Sequence, residues 1–413
     1  MARGARLPGT PEDDRVVCHV DMDCFYAACE RLKEPALEGQ PVVVGMGYEP
    51  EDDIGAVATA SYEAREYGVE SAMAITEALE RLPRKLDAVD DPDADPDDAG
   101  FYRPVDMEFY KSVSADVKAV LHEHADVVRE VSIDEAYLDV TETTGWEDVR
   151  AFARKLRTRI EDRAGVVASV GVAPNMSAAK IASDHDKPDG MTVVEPGDVR
   201  DFLAPLDVAD VHGVGPVTAR QFREMGIETA GDLASADIEA VVDRFGDRGR
   251  EVYRYARGED TREVTPKGDP KSLSRESAFG QATEDHERVR ERAQALATDV
   301  AERAERKDAL YQTIGVKVVE PPFDINTRAR SLSGPVSDPD LLESVAMDLL
   351  AEFEGCRVRK VGVRVSNLSF TEGDQASLDG FAGEGTGVES AGSLDRPTRE
   401  RDPEGQASLG DFE

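Results

Sequence analysis

The feature that most constrains this chain is a pair of short apolar runs, each ending in carboxylates. The first is Val16-Val17-Cys18-His19-Val20-Asp21-Met22-Asp23, followed at once by Phe25 and Tyr26. The second runs through Val127, Val128, Val131 and Ile133 to Asp134 and Glu135. Short β-branched runs read as buried strands, and a buried strand delivers its terminal residues to the edge of its sheet. Two such strands side by side would bring Asp21, Asp134 and Glu135 to one place. Hard oxygen donors from one or two carboxylates suit Mg²⁺, with phosphates and water completing the shell. Two such ions can clamp the attacking and leaving oxygens of an in-line displacement, so the pattern points to phosphoryl transfer. Taken singly, each acid reads equally as a solvated strand end or a turn residue; the pairing favours a site. Asp21 and Asp23 share a face by the period of two, whereas adjacent Asp134 and Glu135 reach one site only if the chain turns or bulges there.

Composition bounds the rest. A length of 413 residues suggests two to four domains with buried cores. No run of eighteen apolar residues occurs and Met1 to Thr10 lacks an apolar stretch, so the expectation is a cytoplasmic protein with no membrane contact and no signal peptide. Cys18, Cys24, Cys29 and Cys356 form no CxxC pair and no zinc spacing, which implies reduced, packed thiols. Charge is the anomaly. Against 86 acidic residues stand 49 basic ones, of which 12 are Lys, for a net charge of −37. A nucleic-acid binder ordinarily carries a basic footprint. A protein working in molar salt escapes that rule, because the Debye length there shrinks to about 3 Å and self-repulsion is muted. Residues 269–371 hold 15 basic and 18 acidic side chains, the least acidic part of the chain and the expected DNA grip.

Further along, Val211-His-Gly-Val-Gly-Pro-Val-Thr-Ala219 places Gly213 and Gly215 in a tight turn opening a helix. Its N–H groups and positive helix end would face an anion. Such a turn also serves any ordinary helix pair, but here it is similar to a helix-hairpin-helix, which holds a backbone phosphate without reading bases. Polar residues 257–271, with Gly258, Pro266, Gly268 and Pro270, read as a linker. Residues 272–371 follow the β-α-β-β-α-β order of a split βαβ domain. Arg328 and Arg330 share one strand face there, as do Arg357 and Arg359, so each pair can follow phosphates or simply discourage edge pairing.

The two acid motifs, with Ala56-Val-Ala-Thr-Ala-Ser-Tyr-Glu-Ala-Arg65, Ala179-Lys-Ile-Ala-Ser-Asp-His-Asp-Lys-Pro-Asp-Gly190 and the glycine turn, resemble the Y-family DNA polymerases in their DinB-type branch, which copies damaged templates. Their order and spacing agree over roughly residues 15–370. The resemblance implies an α+β multidomain right-hand polymerase. Its α+β palm would take residues 1–24 and 101–195, with helices covering one face of the sheet, and small fingers residues 25–100. A helical thumb would take 196–258, a linker 259–271, a split βαβ little finger 272–371, and a disordered tail 372–413. It implies that Asp21, Asp134 and Glu135, with the Met22 carbonyl, hold two Mg²⁺ ions, while Asp23 is structural. Tyr26 would meet the sugar of the incoming deoxynucleotide and exclude a 2′-hydroxyl. Phe25, Thr59, Tyr62, Arg65 and Lys187 would contact the nucleotide, with Lys180 a weaker candidate, and Ala56 and Ala58 would leave room over the nascent pair. From spacing alone, Tyr62 and Arg65 share a helix face suited to a triphosphate, or are a core phenol and a solvated guanidinium.

The tail carries a repeat, Gln375-Ala-Ser-Leu378-Asp-Gly-Phe381 and Gln406-Ala-Ser-Leu409-Gly-Asp-Phe412. Each copy presents Gln, Leu and Phe at i, i+3 and i+6, and the terminal one resembles a sliding-clamp binding peptide. Tethering to a clamp would compensate for a weak grip on DNA through effective concentration. The whole reads as a monomeric, template-directed, error-prone polymerase acting on primer-template DNA and deoxynucleoside triphosphates. No second acidic cluster suggests a proofreading exonuclease. Two other classes fit parts of the pattern: a nucleotide cyclase with a similar palm, and a clamp-recruited scaffold without catalysis. Neither uses all of the motifs.

Overall fold

The computed structural model describes residues 15–50, 53–90 and 95–370. These divide after Lys267 into two compact units.

In the first unit, strands β1 (Val17–Met22), β2 (Val42–Met46), β3 (Ala56–Ala60), β4 (Phe101–Pro104), β5 (Val127–Glu130), β6 (Glu135–Asp139), β7 (Ala168–Ala173) and β8 (Met191–Val193) form two sheets. The larger has the order β5-β6-β1-β7-β8 and the smaller β3-β2-β4. The period of two sorts β1 cleanly. Cys18, Val20 and Met22 enter a core shared with the helices Met107–His124 and Val149–Ala164, while Val17 packs on the other face with Tyr137, Ala173 and the helix Met176–His185. The palm sheet is therefore covered on both faces, which corrects the expectation of helices on one. The apolar residues of β1 already imply this, since a strand buried on both sides shows a near-continuous apolar run.

The covering helices follow from their own residues. Val149, Ala153, Leu156, Ile160 and Ala164 recur every three or four positions and are buried, and Gly165 ends that helix at φ +68°. Asp106 caps Met107–His124 through the Phe109 N–H at 3.2 Å, and Asn175 caps Met176–His185 through the Ala178 N–H at 3.0 Å. The proline-bearing acidic stretch 87–99 begins inside a helix, Lys85–Asp90, and includes a 3₁₀ turn, Pro96–Asp98.

Beyond β8 the chain is helical: Val199–Leu203, Pro216–Glu224, Ala230–Ser235 and Ile238–Ala256 surround Phe222, Leu233, Val241 and Val252. The stretch expected as a linker is tied down for much of its length. The Arg15 guanidinium donates to the carbonyls of Asp260 and Arg262 at 3.2 and 3.1 Å. The buried Asp260 carboxylate accepts from the Ser177 N–H at 2.9 Å and from the Arg262 guanidinium at 2.8 Å, and Arg129 donates to the Thr265 carbonyl at 3.2 Å.

The second unit is one antiparallel sheet with the order β11-β10-β12-β9, from β9 (Ser272–Thr283), β10 (Ala309–Glu320), β11 (Asp324–Val336) and β12 (Val358–Phe370). Helices His286–Glu305 and Pro339–Leu350 pack on one face over Ile314, Val316, Val361, Val363 and Val365. The other face is open. Among the described residues no helix is long and apolar enough to cross a membrane.

Candidate active site

Three rows of residues cross the palm sheet on the face that carries the helix Met176–His185. Asp139, Val17 and Ala173 form the first, Tyr137, His19 and Gly171 the second, and Glu135, Asp21 and Ser169 the third, at the end of the strands. Asp21 near the end of β1 and Glu135 at the start of β6 therefore lie directly opposite each other; the apolar run expected to carry the second pair of acids at its end instead closes as β5 at Glu130 and turns back into β6, which lies between β5 and β1. The turn that Asp134 and Glu135 require is present. The N–H groups of Val131 and Ser132 donate to the Glu135 carbonyl at 3.0 and 3.2 Å, the Ser132 hydroxyl receives the Asp134 and Glu135 N–H groups, and the Met22 N–H reaches the Asp134 carbonyl at 3.0 Å.

The helix Met176–His185 lies close enough to act on this row because Gly171 has no side chain. A Cβ there would meet the Ala179 carbonyl oxygen at 2.1 Å and the Ser183 nitrogen at 2.2 Å. Two ammonium groups arrive with the helix and the loop after it. Lys180 Nζ lies 2.8 Å from Asp21 and 3.0 Å from Glu135, and Lys187 Nζ lies 2.8 Å from Asp21. Asp184 takes the far side of both, at 3.4 and 2.9 Å.

Burial pushes the Asp21 carboxyl up, but Lys180 and Lys187 outweigh it and hold that pKa below the ordinary range. Glu135 behaves alike: burial opposes ionisation, yet its bonds to His19 and Lys180 bring it down to about 2. Burial raises Asp134, with the charges of Asp21 and Glu135 adding to the rise and a hydrogen bond from Ser132 opposing it. Burial alone would lower the two lysines, but Asp21 and its neighbouring carboxylates raise both. The cluster is thus built for charge: acids kept ionised beside cations kept protonated.

The donor set suits a hard divalent cation. Ligand atoms of His19, Asp21 and Glu135 lie within 4.8 Å of one another. The Asp134 carboxylate instead accepts a hydrogen bond from the Ser132 hydroxyl, and Met22 buries its side chain in the opposite core, leaving its backbone at the site. Asp23 is held by Ser169 at 2.9 Å, by the Tyr62 hydroxyl at 3.2 Å and by the Asp189 N–H at 2.7 Å, a structural role.

Of the expected nucleotide contacts, Tyr26 stacks on Tyr110 with ring centroids 4.7 Å apart, and the Tyr110 hydroxyl donates to Glu30 at 2.6 Å. Arg65 lies over the Tyr62 ring at 4.9 Å and donates to the Ala60 carbonyl at 3.1 Å, so this pair does share a face. Thr59 sits on β3 opposite Val44 and is half-buried. Phe25 departs from expectation. Its ring is 1 % exposed, because the helix Phe25–Lys33 starts there and turns it into the core, so no base can stack on it.

Gly213 adopts φ +85° and offers its carbonyl to Arg248 at 2.9 Å. Gly215 caps the helix Pro216–Glu224 with open space above it and no side-chain cap, leaving early N–H groups of that helix available to an anion. A cavity of about 450 Å³ runs from this hairpin to Lys180 and Asp184.

In the second unit, Arg328 and Arg330 do share a face, but it is the helix-bearing one. Arg328 pairs with Glu352 at 2.6 Å and Arg330 with Asp348 at 3.1 Å. Arg359 covers the exposed Phe323 ring at 4.3 Å, and Arg357 is exposed. The open face instead carries Lys317 and Lys360, both on Glu276, the first at 3.0 Å. The tail residues Gln375, Leu378, Phe381, Gln406, Leu409 and Phe412 lie outside the described residues. Sequence reasoning missed His19, Ser183, Asp184, Lys317, Lys360 and Glu276. The first three stand inside the conspicuous motifs; only strand register ties them together.

Models of the impB/mucB/samB family, its helix-hairpin-helix motif and its C-terminal domain match residues 20–184, 196–227 and 270–379. Over 388 residues the chain is 64% identical to DNA polymerase IV of Halobacterium salinarum, covering 94% of this chain and 93% of that one. Identity to DNA polymerase IV of Methanoculleus marisnigri is 41% over 368 residues, 89% of this chain and 98% of that one. Among solved structures, the Y-family DNA polymerase chimera Dbh-Dpo4(243-245)-Dbh superposes with a TM-score of 0.73 at 29% identity, covering 86% of this chain and 99% of the other. An insertion ternary complex of Dbh DNA polymerase gives 0.61 at 28% identity, with the same coverage. The paired carboxylates on a palm sheet, the hairpin and the split βαβ unit thus define a DNA-directed DNA polymerase. The chain belongs to the impB/mucB/samB family, the Y-family polymerases of translesion synthesis.

Proposed function

We propose that this polymerase extends a primer 3′ end by phosphoryl transfer with two Mg²⁺ ions at Asp21, Glu135 and Asp134 and the Met22 carbonyl, and that it does not proofread. The observation that carries the reading is the cross-strand row of Glu135 and Asp21, with Lys180 and Lys187 lying against it. Divalent cations held there would neutralise charge on the transferring phosphoryl group and activate the primer hydroxyl. The chain's own residues do the positioning. Lys180 and Lys187, already protonated, transfer from carboxylates to the triphosphate, and Arg65 offers a planar fork to its outer oxygens. Tyr26, braced by Tyr110, closes the space that a 2′-hydroxyl would need. The N–H groups after Gly215 take a backbone phosphate without reading bases. Lys317, Lys360 and Arg364 on the open sheet face, with Arg357 at the start of β12, follow the duplex backbone, and the tail repeats dock on a sliding clamp. Such contacts weaken steeply with salt, which gives clamp tethering its value to an acidic protein at molar KCl, where it acts as a monomer.

The deciding experiment is extension of a primed template with all four deoxynucleotides and Mg²⁺ in molar KCl, wild type against Glu135→Ala. Extension lost in the variant, with DNA binding retained, supports the metal site. Equal extension by both refutes it.

A further inference from the structure

His19 is fully buried, yet both of its ring nitrogens have polar partners: Nε2 lies 3.1 Å from Glu135 Oε2 and Nδ1 lies 2.8 Å from Ser183 Oγ. Its ring also tilts against Tyr137, 4.5 Å away. Any buried imidazole must find partners; what sets this one apart is that one partner is a carboxylate of the active site. The position follows from register. His19 stands one row behind Asp21, opposite Gly171, and the missing side chain at Gly171 lets the helix Met176–His185 come close enough for Ser183 to meet the ring.

The hydrogen bonds orient the ring. A lone pair facing the Glu135 carboxylate would be repelled, so the proton belongs on Nε2 and is donated to Oε2. Nδ1 lies against the Ser183 hydroxyl, which donates its proton to the Lys180 carbonyl at 2.7 Å, so the helix fixes that oxygen 2.8 Å from Nδ1 and anchors the ring beside Glu135. Lys180 is the other partner of the same Glu135 oxygen, at 3.0 Å. Lys180 is exposed enough to leave for a phosphate; His19 is not.

We propose that His19 is a positioning residue, holding the Glu135 carboxylate in the orientation that receives a divalent cation while Lys180 moves to the nucleotide, with Ser183 anchoring its ring. The inference rests on the cation role of Glu135 proposed above. Partners that orient a metal ligand through a hydrogen bond typically change metal affinity by about 10- to 100-fold when removed.

The test uses the full chain in molar KCl. His19→Phe keeps ring volume and removes both bonds; His19→Gln keeps a donor that reaches Glu135; His19→Asn places its amide too short to reach. Mn²⁺ binding is followed by electron paramagnetic resonance without DNA or nucleotide, and the Mg²⁺ half-saturation of extension is measured separately. The expected result is Mn²⁺ affinity about tenfold weaker in His19→Phe, a matching rise in Mg²⁺ half-saturation, and a deoxynucleotide KM and thermal midpoint near wild type. His19→Gln restores most of the loss, and Ser183→Ala moves the same way by less. Wild-type Mn²⁺ affinity in His19→Phe, whatever happens to extension, makes His19 a packing residue and overturns the proposal. If His19→Phe does not fold, equal affinities in His19→Gln and His19→Asn overturn it instead. Glu135→Ala separates the two levels. If that variant loses Mn²⁺ binding while His19→Phe keeps it, only the positioning role fails; if it keeps Mn²⁺ binding, the cation reading fails and the positioning role falls with it.

Discussion

The two units each set lysines against carboxylates on the face of an antiparallel sheet, and the balance between them is opposite. In the palm, Asp21, Glu135 and Asp184 outnumber Lys180 and Lys187. On the open face of the C-terminal sheet, Lys317 and Lys360 outnumber the single Glu276. Both clusters lie beside a glycine that makes room, Gly171 under the helix in one and Gly362 opposite Glu276 in the other, where a Cβ would meet the Glu276 side chain at 2.6 Å. The first cluster is rich in carboxylates, the second in ammonium groups. A net charge of −37 therefore says little about either site. What matters is the local count within a few ångströms, which is also the range over which charge acts in molar salt.

The sharpest test of that contrast is the same substitution in both places. On the proposed cation role of Glu135, Glu135→Gln should lower extension at least about a thousandfold, the equivalent of several kcal/mol of transition-state stabilisation. Glu276→Gln should leave single-turnover chemistry unchanged and tighten binding to primed DNA a few-fold, because it removes a negative charge beside two ammonium groups. Slow chemistry in Glu276→Gln, measured on saturating DNA, would mean the two clusters are not separate in function.

Next in size is removal of the cations on the open face. Lys317→Ala combined with Lys360→Ala should weaken DNA binding about tenfold at the lowest salt that keeps the protein folded. It should also make the dependence of log affinity on log salt shallower by roughly one to two, the loss of one or two phosphate contacts. An unchanged slope would take this face off the DNA.

A smaller effect concerns acid stability. The folded Glu135 carboxyl, near 2, lies below its unfolded value of about 4.3, so its contribution is fully present above the unfolded value and is lost as pH falls toward 2. Asp21, also lowered, acts in the same direction. Asp134, raised by burial, acts in the opposite one and relaxes as it protonates. The thermal midpoint in molar KCl should therefore fall between pH 5 and pH 3, less steeply in Glu135→Gln. A parallel fall in wild type and variant would show that Glu135 is not the group responsible.

How much of this was legible in the sequence depends on which physical relation carried it. The acids at the ends of β1 and β6, the turn between Asp134 and Glu135, and the order of strands and helices after residue 271 followed from local patterns of apolar residues. Relations set by register did not. His19 read as one more member of a strand, because nothing local says that its neighbour across the sheet is Gly171 or that Ser183 sits above it. Phe25 read as a nucleotide contact, whereas the helix that begins there turns its ring inward. The Gly and Pro of residues 257–271 suggested a free linker, but Asp260 and Arg262 meet Arg15 at the far end of the sequence.

Arg328 and Arg330 mark the limit of the period of two, and they supply the last test. Alternation places them together, but their alternating partners Thr327, Ala329 and Ser331 are no more apolar than surface residues, so nothing in the strand says which face bears the helices. Pairing with Val316 and Ile314, both buried, puts them on the helix side, against Glu352 and Asp348. Exposed pairs of this kind are worth little to stability, and both arginines point away from the face that carries Lys317 and Lys360. Arg328→Ala and Arg330→Ala, each measured in the assay used for the open-face lysines, should change DNA affinity by less than about twofold and leave the salt slope as it is. A tenfold loss with a shallower slope would show that these arginines leave their carboxylates for DNA, and that the helix-bearing face also grips the duplex.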